Sequence, residues 1–141
     1  HGLCMVQNCV NGSIIRIARA VSAAKATVGR AARFSFSDLC EKPLGASDYL
    51  AIAARFDVVF VEHVPQLGAE KRNEVKRFIN LVDALYDQSV RLFISAAATP
   101  DALLTERRGT EGFEFDRTVS RLFEMRSAEY LVLHNEKRQQ V

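Results

Sequence analysis

Two polar residues follow short apolar runs in the sequence, at positions where a catalytic site could form. Glu62 follows Val58-Val59-Phe60-Val61, and Ser95 ends the run that begins at Val90. In an open α/β sheet, ligands bind beyond the carboxyl ends of the strands. There a carboxylate orients water or a metal ion, and a hydroxyl contacts a phosphate. Glu62 and Ser95 are therefore the first candidate site residues.

This pairing is similar to the half of a P-loop ATPase that senses the γ-phosphate, but the rest of the pattern is missing. Val61 precedes Glu62, where the Mg²⁺-binding Asp normally stands, and the chain contains no GxxxxGK[ST] sequence to hold phosphates. We therefore expect this chain alone to be inactive and to bind no cofactor. The adjacent His63 is not expected to act with Glu62, because neighbouring strand residues point to opposite faces.

Metal and disulfide chemistry are not indicated. The three histidines lie far apart, and the three cysteines form no CxxC pair. The sequence therefore predicts no metal site, and free cysteines in a reducing compartment.

Three arginines are the remaining candidates. Arg117 and Arg121 are four residues apart, so a helix would place them on one face. They could contact a phosphate or the nucleotide of a neighbouring subunit. The alternative is a set of ion pairs with Glu114, Asp116, Glu124 or Glu129, which the spacing by itself favours. Arg77 allows the same two interpretations.

The elements that position these residues form a βαβ unit over residues 57–95. Two apolar runs, 57–62 and 90–95, flank a helix over 70–88 whose apolar residues have the i, i+3, i+4, i+7 spacing. The crossover should be right-handed and the strands parallel. The four consecutive apolar residues before Glu62 predict a central strand covered on both faces.

The flanking elements are less regular. A small β-hairpin over 12–36 is predicted from strands at 13–19 and 33–37, with a long connection over 20–32. Ser47 is the predicted N-cap of a helix over 48–55, and Thr99 caps a short helix that starts at Pro100. The remaining predicted segments are a charged loop at 105–112, an extended piece at 113–115, a last helix at 117–131 and a flexible tail at 134–141. Residues 1–11 stay unassigned.

The predicted elements form one α/β domain over residues 12–133, with a short, mainly parallel sheet flanked by helices. Of the 141 residues 48% are hydrophobic and 26% charged, which excludes disorder, and no apolar stretch is long enough for a transmembrane segment.

Residues 1–37 contain five cations and no acid, whereas the remainder has a net charge of −3. The cations either meet an acidic partner or, the favoured interpretation, lie on a solvated face. They are too dispersed for nucleic-acid binding.

Several motifs in order resemble the C-terminal part of the AFG-like (ZapE-type) P-loop ATPases of the AAA+ class. The motifs, over roughly residues 12–131, are Phe34-Ser35-Phe36-Ser37-Asp38-Leu39-Cys40, Pro43 with Gly45, Asp48-Tyr49, Val64-Pro65, Arg77-Phe78-Ile79-Asn80-Leu81-Val82-Asp83, Ser95-Ala96, and Arg117-Thr118-Val119-Ser120-Arg121-Leu122. The resemblance implies that the phosphate-binding loop and acidic pair lie upstream, which weakens the assignment of Glu62. It also implies a parent enzyme that hydrolyses ATP with Mg²⁺, with Arg117 and Arg121 in nucleotide sensing or subunit contact.

The resemblance further implies partners: the rest of the ATPase core, a homo-oligomer, and client proteins such as an FtsZ-like division protein. The parent would remodel these clients in cell division or protein quality control, in the bacterial cytoplasm, near membrane-associated clients, or in mitochondria. Two alternatives remain at this point. The segment is a partner-binding module without nucleotide contact, or a lid or scaffold that stabilises the ATPase core.

Overall fold

A four-stranded sheet forms the centre of the computed structural model, which describes residues 26–106 and 109–139, with side chains for 29–106 and 109–137. The strands, in both chain and spatial order, are β1 (Ala26–Val28), β2 (Ala31–Ser35), β3 (Val58–Val64) and β4 (Arg91–Ala96). β1 pairs antiparallel with β2, whereas β2, β3 and β4 are parallel. The predicted α/β fold and βαβ unit are confirmed.

The described residues also form four α-helices and three short helical turns. The helices are α1 (Ala46–Arg55), α2 (Arg72–Asp87), α3 (Gly109–Glu124) and α4 (Ala128–Gln139). A π-helical turn at Ser37–Glu41 and 3-10 turns at Ala69–Lys71 and Pro100–Ala102 complete the set. The apolar periodicity located α2 closely, because the helix is long and most of its apolar residues are buried. No helix of the described residues is long and apolar enough to cross a membrane.

The hairpin differs from its prediction. β1 lies inside the stretch predicted as a long connection, and it joins β2 through a two-residue turn at Gly29 and Arg30. Gly29 adopts φ +56°, a conformation in which a side chain would be strained. Arg30 donates from Nε to Asp57 Oδ1 at 2.9 Å and so ties the turn to the start of β3. The predicted strand at 13–19 lies outside the described residues.

Helix α1 begins earlier than predicted, and Ser47 is not its N-cap. Gly45 is the N-cap residue, with extended backbone, and its N–H donates to Asp48 Oδ2 at 2.8 Å. The carboxylate at the third helical position therefore reaches back over the first turn. This contact explains why Asp48 is 5% exposed although it is an acid.

The C-terminal part also departs from the prediction. α3 includes the predicted loop residues 109–112 and the predicted extended piece 113–115, and it ends at Glu124 rather than continuing to residue 131. A new helix then starts, with Ser127 Oγ accepting from the Tyr130 N–H at 3.1 Å. α4 continues to Gln139, through most of the predicted flexible tail. It is held there because Tyr130 Oη donates to the Val90 carbonyl at 2.6 Å and His134 Nδ1 lies 2.6 Å from the Ser89 carbonyl.

The core lies on one face of the sheet. Along β3, Val59, Val61 and Val64 are buried, whereas Phe60 is 39% exposed. The inward residues join one cluster with the helices, whose largest fully buried members are Tyr49, Phe34, Phe36, Phe56, Phe78 and Phe115. The prediction that β3 is covered on both faces is therefore wrong for the described residues.

Candidate functional site

Glu62 and Ser95 lie near the carboxyl ends of β3 and β4, and a catalytic role for them stays a prediction. Glu62 forms an ion pair with Arg33 on the neighbouring strand, with Oε1 3.4 Å from Nε, and Ser95 is exposed. Among the described residues, no group of three or more His, Cys, Asp and Glu side chains could hold a metal ion.

His63 has an unusual backbone conformation at this edge. Its φ is +59°, and the pairing of β3 with β4 shifts register between Val61 and Val64. A bulge of this kind re-aims side chains and ends regular alternation. The rule that Glu62 and His63 point to opposite faces assumes a regular strand, so it does not apply across this irregularity. Sequence patterns gave no signal for the bulge.

Arg117 and Arg121 meet on one carboxylate. Arg117 Nη2 donates to Asp83 Oδ2 at 3.2 Å, and Arg121 Nη1 donates to Asp83 Oδ1. Asp83 lies on α2, so the two contacts join α3 to α2. Asp83 was not among the acids on α3 and beyond it that the sequence suggested as partners. Spacing along one helix shows which residues share a face but not which neighbouring helix that face meets.

An aromatic ring and a second carboxylate extend this contact. The Arg121 guanidinium lies 4.8 Å from the centre of the Tyr86 ring, and Tyr86 Oη donates to Glu124 Oε2 at 2.6 Å. The hydrogen bond to Glu124 raises the pKa of Tyr86, because it stabilises the neutral phenol. We call Asp83, Tyr86, Arg117, Arg121 and Glu124 the α2–α3 clamp.

The two arginines of the clamp differ in exposure. The Arg117 side chain is 55% exposed and the Arg121 side chain 24%. Arg121 is therefore mainly a packing element that stacks on Tyr86 and neutralises Asp83. Arg117 is therefore the more accessible of the two arginines.

Arg77 has a structural partner outside the clamp. Its Nη1 donates to the Cys40 carbonyl at 3.0 Å, which joins α2 to the π-helical turn. Below this contact Tyr49 Oη donates to the Leu39 carbonyl at 2.7 Å. Burial raises the pKa of the Cys40 thiol to about 12, so the thiol stays protonated and unreactive at neutral pH. These contacts make Arg77 a residue that fixes the turn between β2 and α1.

The structure is an α/β domain in which Arg117 and Arg121 bond to a carboxylate and Arg77 bonds to a backbone carbonyl. Its sequence contains no phosphate-binding loop. The family model described as AFG1-like ATPase matches residues 7–134. The chain belongs to this family of ATPases.

Curated relatives agree with this membership. The chain is 37% identical over 136 residues to lactation elevated protein 1 homolog B of Danio rerio, an alignment of 75% of this chain and 27% of that protein. It is 38% identical over 97 residues to the cell division protein ZapE of Escherichia coli K12, covering 69% of this chain and 25% of ZapE. The chain thus spans about a quarter of the length of these relatives. No solved structure matches it.

Proposed function

We propose that this chain is the C-terminal part of an ATPase that, at full length, binds ATP with Mg²⁺ and hydrolyses it to remodel client proteins. The observation that supports the proposal is the family match over residues 7–134. The nucleotide would be held by a phosphate-binding loop outside this chain, because the chain's own sequence contains none. The chain would contribute positioned arginines to the parent enzyme, not the hydrolytic centre.

Within this function, the α2–α3 clamp supports a role for Arg117 in sensing nucleotide or contacting a neighbouring subunit. Asp83 holds the guanidinium in one orientation, which lowers the entropy cost of binding a phosphate or carboxylate. Arg121 and Asp83 position Arg117, since the two arginines share the same carboxylate. Asp83 also competes with an anion for Arg117, so binding there would exchange one ion pair for another.

Substitution of Arg117 in the full-length protein tests this role. We expect Arg117→Ala to lower ATP turnover by about tenfold or more, since a correctly placed arginine contributes ~10³–10⁵ in related phosphoryl transfers. Arg55→Ala is the matched control, because Arg55 lies 5.0 Å over the Phe56 ring and outside the clamp. Unchanged turnover and unchanged oligomer size for Arg117→Ala would remove the role, while the ATPase assignment would stand on the activity itself.

A partner-binding module without nucleotide contact is the second candidate. It is favoured by an apolar cavity of about 290 Å³ between β4 and the end of α3. Leu92, Ile94, Leu103, Leu122 and Met125 contribute to its lining, together with Arg126. An apolar side chain beside an acidic residue would match this lining.

A pull-down with the 141-residue chain tests the second candidate. The bait would capture a client such as an FtsZ-like division protein at low salt, and Met125→Asp would weaken the capture because it places a carboxylate in the cavity lining. If the wild-type and Met125→Asp chains captured equal amounts of the client, the cavity would be excluded as the binding site.

The proposed function also implies a location for the protein, namely the bacterial cytoplasm or, in a eukaryote, mitochondria.

A further inference from the structure

One face of the sheet is not covered by any described helix. Right-handed crossovers that advance in one direction, from β2 to β3 to β4, place α1 and α2 on the same side of the sheet. Burial follows this topology, since Phe34, Val59 and Val61 are at most 1% exposed and face the helices. The alternate residues form what we call the open face: Arg33, Val58, Phe60, Glu62, Arg91 and Phe93.

Two aromatic rings lie at the centre of the open face. Phe60 and Phe93 are paired across β3 and β4, and their rings stack with centres 4.8 Å apart and planes inclined by 12°. They are 39% and 41% exposed. A parallel sheet is normally buried on both faces, because its strands are apolar on both. A half-exposed, stacked aromatic pair on β3 and the edge strand β4 therefore indicates a surface that another layer covers.

The charges around the rings restrict what this layer can be. The Arg91 guanidinium lies 5.0 Å from the centre of the Phe93 ring, and Arg33 pairs with Glu62. The open face thus has two cations and one carboxylate, so its occupant should be apolar with an acidic flank. A second copy of the same face would bring like charges together. Residues 1–25 contain three cations, Arg16, Arg19 and Lys25, and no acid, so they do not match either.

A segment of the full-length protein that lies outside these 141 residues would fit the open face, since the relatives are longer than the matched segment. The alignments leave about three quarters of those relatives uncovered. We propose that the open face docks a helix with an apolar stripe and an acidic flank, supplied by the remainder of the full-length protein. This inference rests on the proposed function, because it requires the chain to be part of a longer ATPase.

Paired substitutions in two lengths of the protein test the docking. In the full-length protein, Phe60→Ser with Phe93→Ser should accelerate hydrogen exchange of the β3 and β4 amides by about tenfold and lower the melting temperature by about 5 °C. In the 141-residue chain the same double variant should lower the melting temperature by less than it does at full length, since both residues are already about 40% exposed there. Phe113→Ser is the matched control, because Phe113 is 81% exposed on α3, and it should be silent in both lengths.

A charge reversal at Arg91 tests the docking independently, in case the Phe60 and Phe93 double variant does not fold. Arg91 is exposed at the start of β4, so Arg91→Glu should leave the 141-residue chain folded. In the full-length protein it should accelerate exchange of the β4 amides, with a smaller effect at high salt because the acidic flank is then screened. Equal exchange in wild-type and Arg91→Glu proteins of full length would contradict the acidic flank.

Three outcomes overturn the docking. The first is equal stability of the wild-type and double-variant proteins at full length. The second is a dimer of the 141-residue chain that Phe93→Ser dissociates, which would identify a second copy as the occupant. The third is a complete reading frame that adds no further chain. None of these measurements uses ATP turnover, so an inactive protein with the expected exchange pattern would refute the proposed function alone.

Discussion

The two faces of the sheet have the same strands but opposite environments. On one face Phe34 packs edge-on against Phe56, with ring centres 6.1 Å apart, and both rings are fully buried. On the other face Phe60 stacks on Phe93 while both remain about 40% exposed. The difference shows that an apolar residue in a strand predicts burial, but it does not show which part of the protein buries it. The described helices pack on the helical face around Phe34 and Phe56, whereas no described helix covers the open face.

Truncation of one phenylalanine on each face gives the largest expected contrast. Phe34→Ala should cost about 3–5 kcal/mol in the free energy of unfolding, because it leaves a cavity against Phe56. Phe60→Ala in the 141-residue chain should cost less, about 1–2 kcal/mol, because Phe60 is 39% exposed and loses mainly its stacking on Phe93. Denaturant unfolding followed by circular dichroism measures both. Equal costs would show that the open face is as well packed as the helical face.

The attachment of α4 to the helical face comes next in size. Tyr130→Phe removes the 2.6 Å hydrogen bond to the Val90 carbonyl and leaves that buried oxygen without its phenol donor. We expect a loss of about 1–2 kcal/mol, with faster hydrogen exchange confined to α4. Tyr86→Phe is the control, because the Tyr86 hydroxyl bonds to Glu124 on α3 and should not affect α4. Unchanged exchange in α4 for Tyr130→Phe would mean that the helix is held by other contacts.

The α2–α3 clamp should contribute less, because its groups are partly solvated. Asp83→Ala should cost about 1 kcal/mol at low salt and less at high salt, since the Asp83 side chain is 25% exposed and Arg117 more so. The exposed carboxylate Glu136 on α4 provides the control Glu136→Ala. Thermal melts at two salt concentrations measure the difference. A salt-independent cost for Asp83→Ala would indicate lost packing, not lost charge.

The smallest effect is a pH dependence at the start of α3. The hydrogen bond from Arg72 Nε to Glu111 Oε1, 2.7 Å long, lowers the pKa of Glu111 from its ordinary value of 4.5. A carboxyl whose folded pKa is depressed stabilises the fold above its unfolded pKa, and this stabilisation is lost as the pH falls through the folded pKa. The stability difference between wild type and Glu111→Gln should therefore be present at pH 7 and shrink below about pH 4.5. A difference that does not shrink at any pH below about 4.5 would exclude the ion pair as its cause.

Much of the fold was predictable because its signals are local. The α2 periodicity and the two apolar runs located the βαβ unit, since a buried helix face and a buried strand each repeat within a few residues. β1 was missed because three residues, Ala26–Val28, show too little pattern. The break between α3 and α4 was missed because the capping by Ser127 depends on a turn that the apolar spacing does not indicate.

The candidate site was less predictable than the fold. The sequence singled out Arg77, Arg117 and Arg121, yet it suggested acids on and beyond α3 as partners for the last two. Their carboxylate is on another helix, at Asp83, and Arg77 bonds to a carbonyl at Cys40. Such contacts join residues 34 to 38 positions apart, so they depend on how α2 packs against its neighbours. Whether Arg117 reaches nucleotide stays a prediction.

By itself the sequence determined the α/β class, the parallel βαβ unit and the absence of a phosphate-binding loop from these 141 residues, because each follows from residue types at short spacing. Only the tertiary structure decided that Asp83 joins Arg117 to Arg121, and that Phe60 and Phe93 lie on an uncovered face. Burial and ion pairing between distant residues are set by the handedness of the crossovers and the packing of whole helices. Four apolar residues in a row look the same in sequence whether the layer over them belongs to this segment or to another.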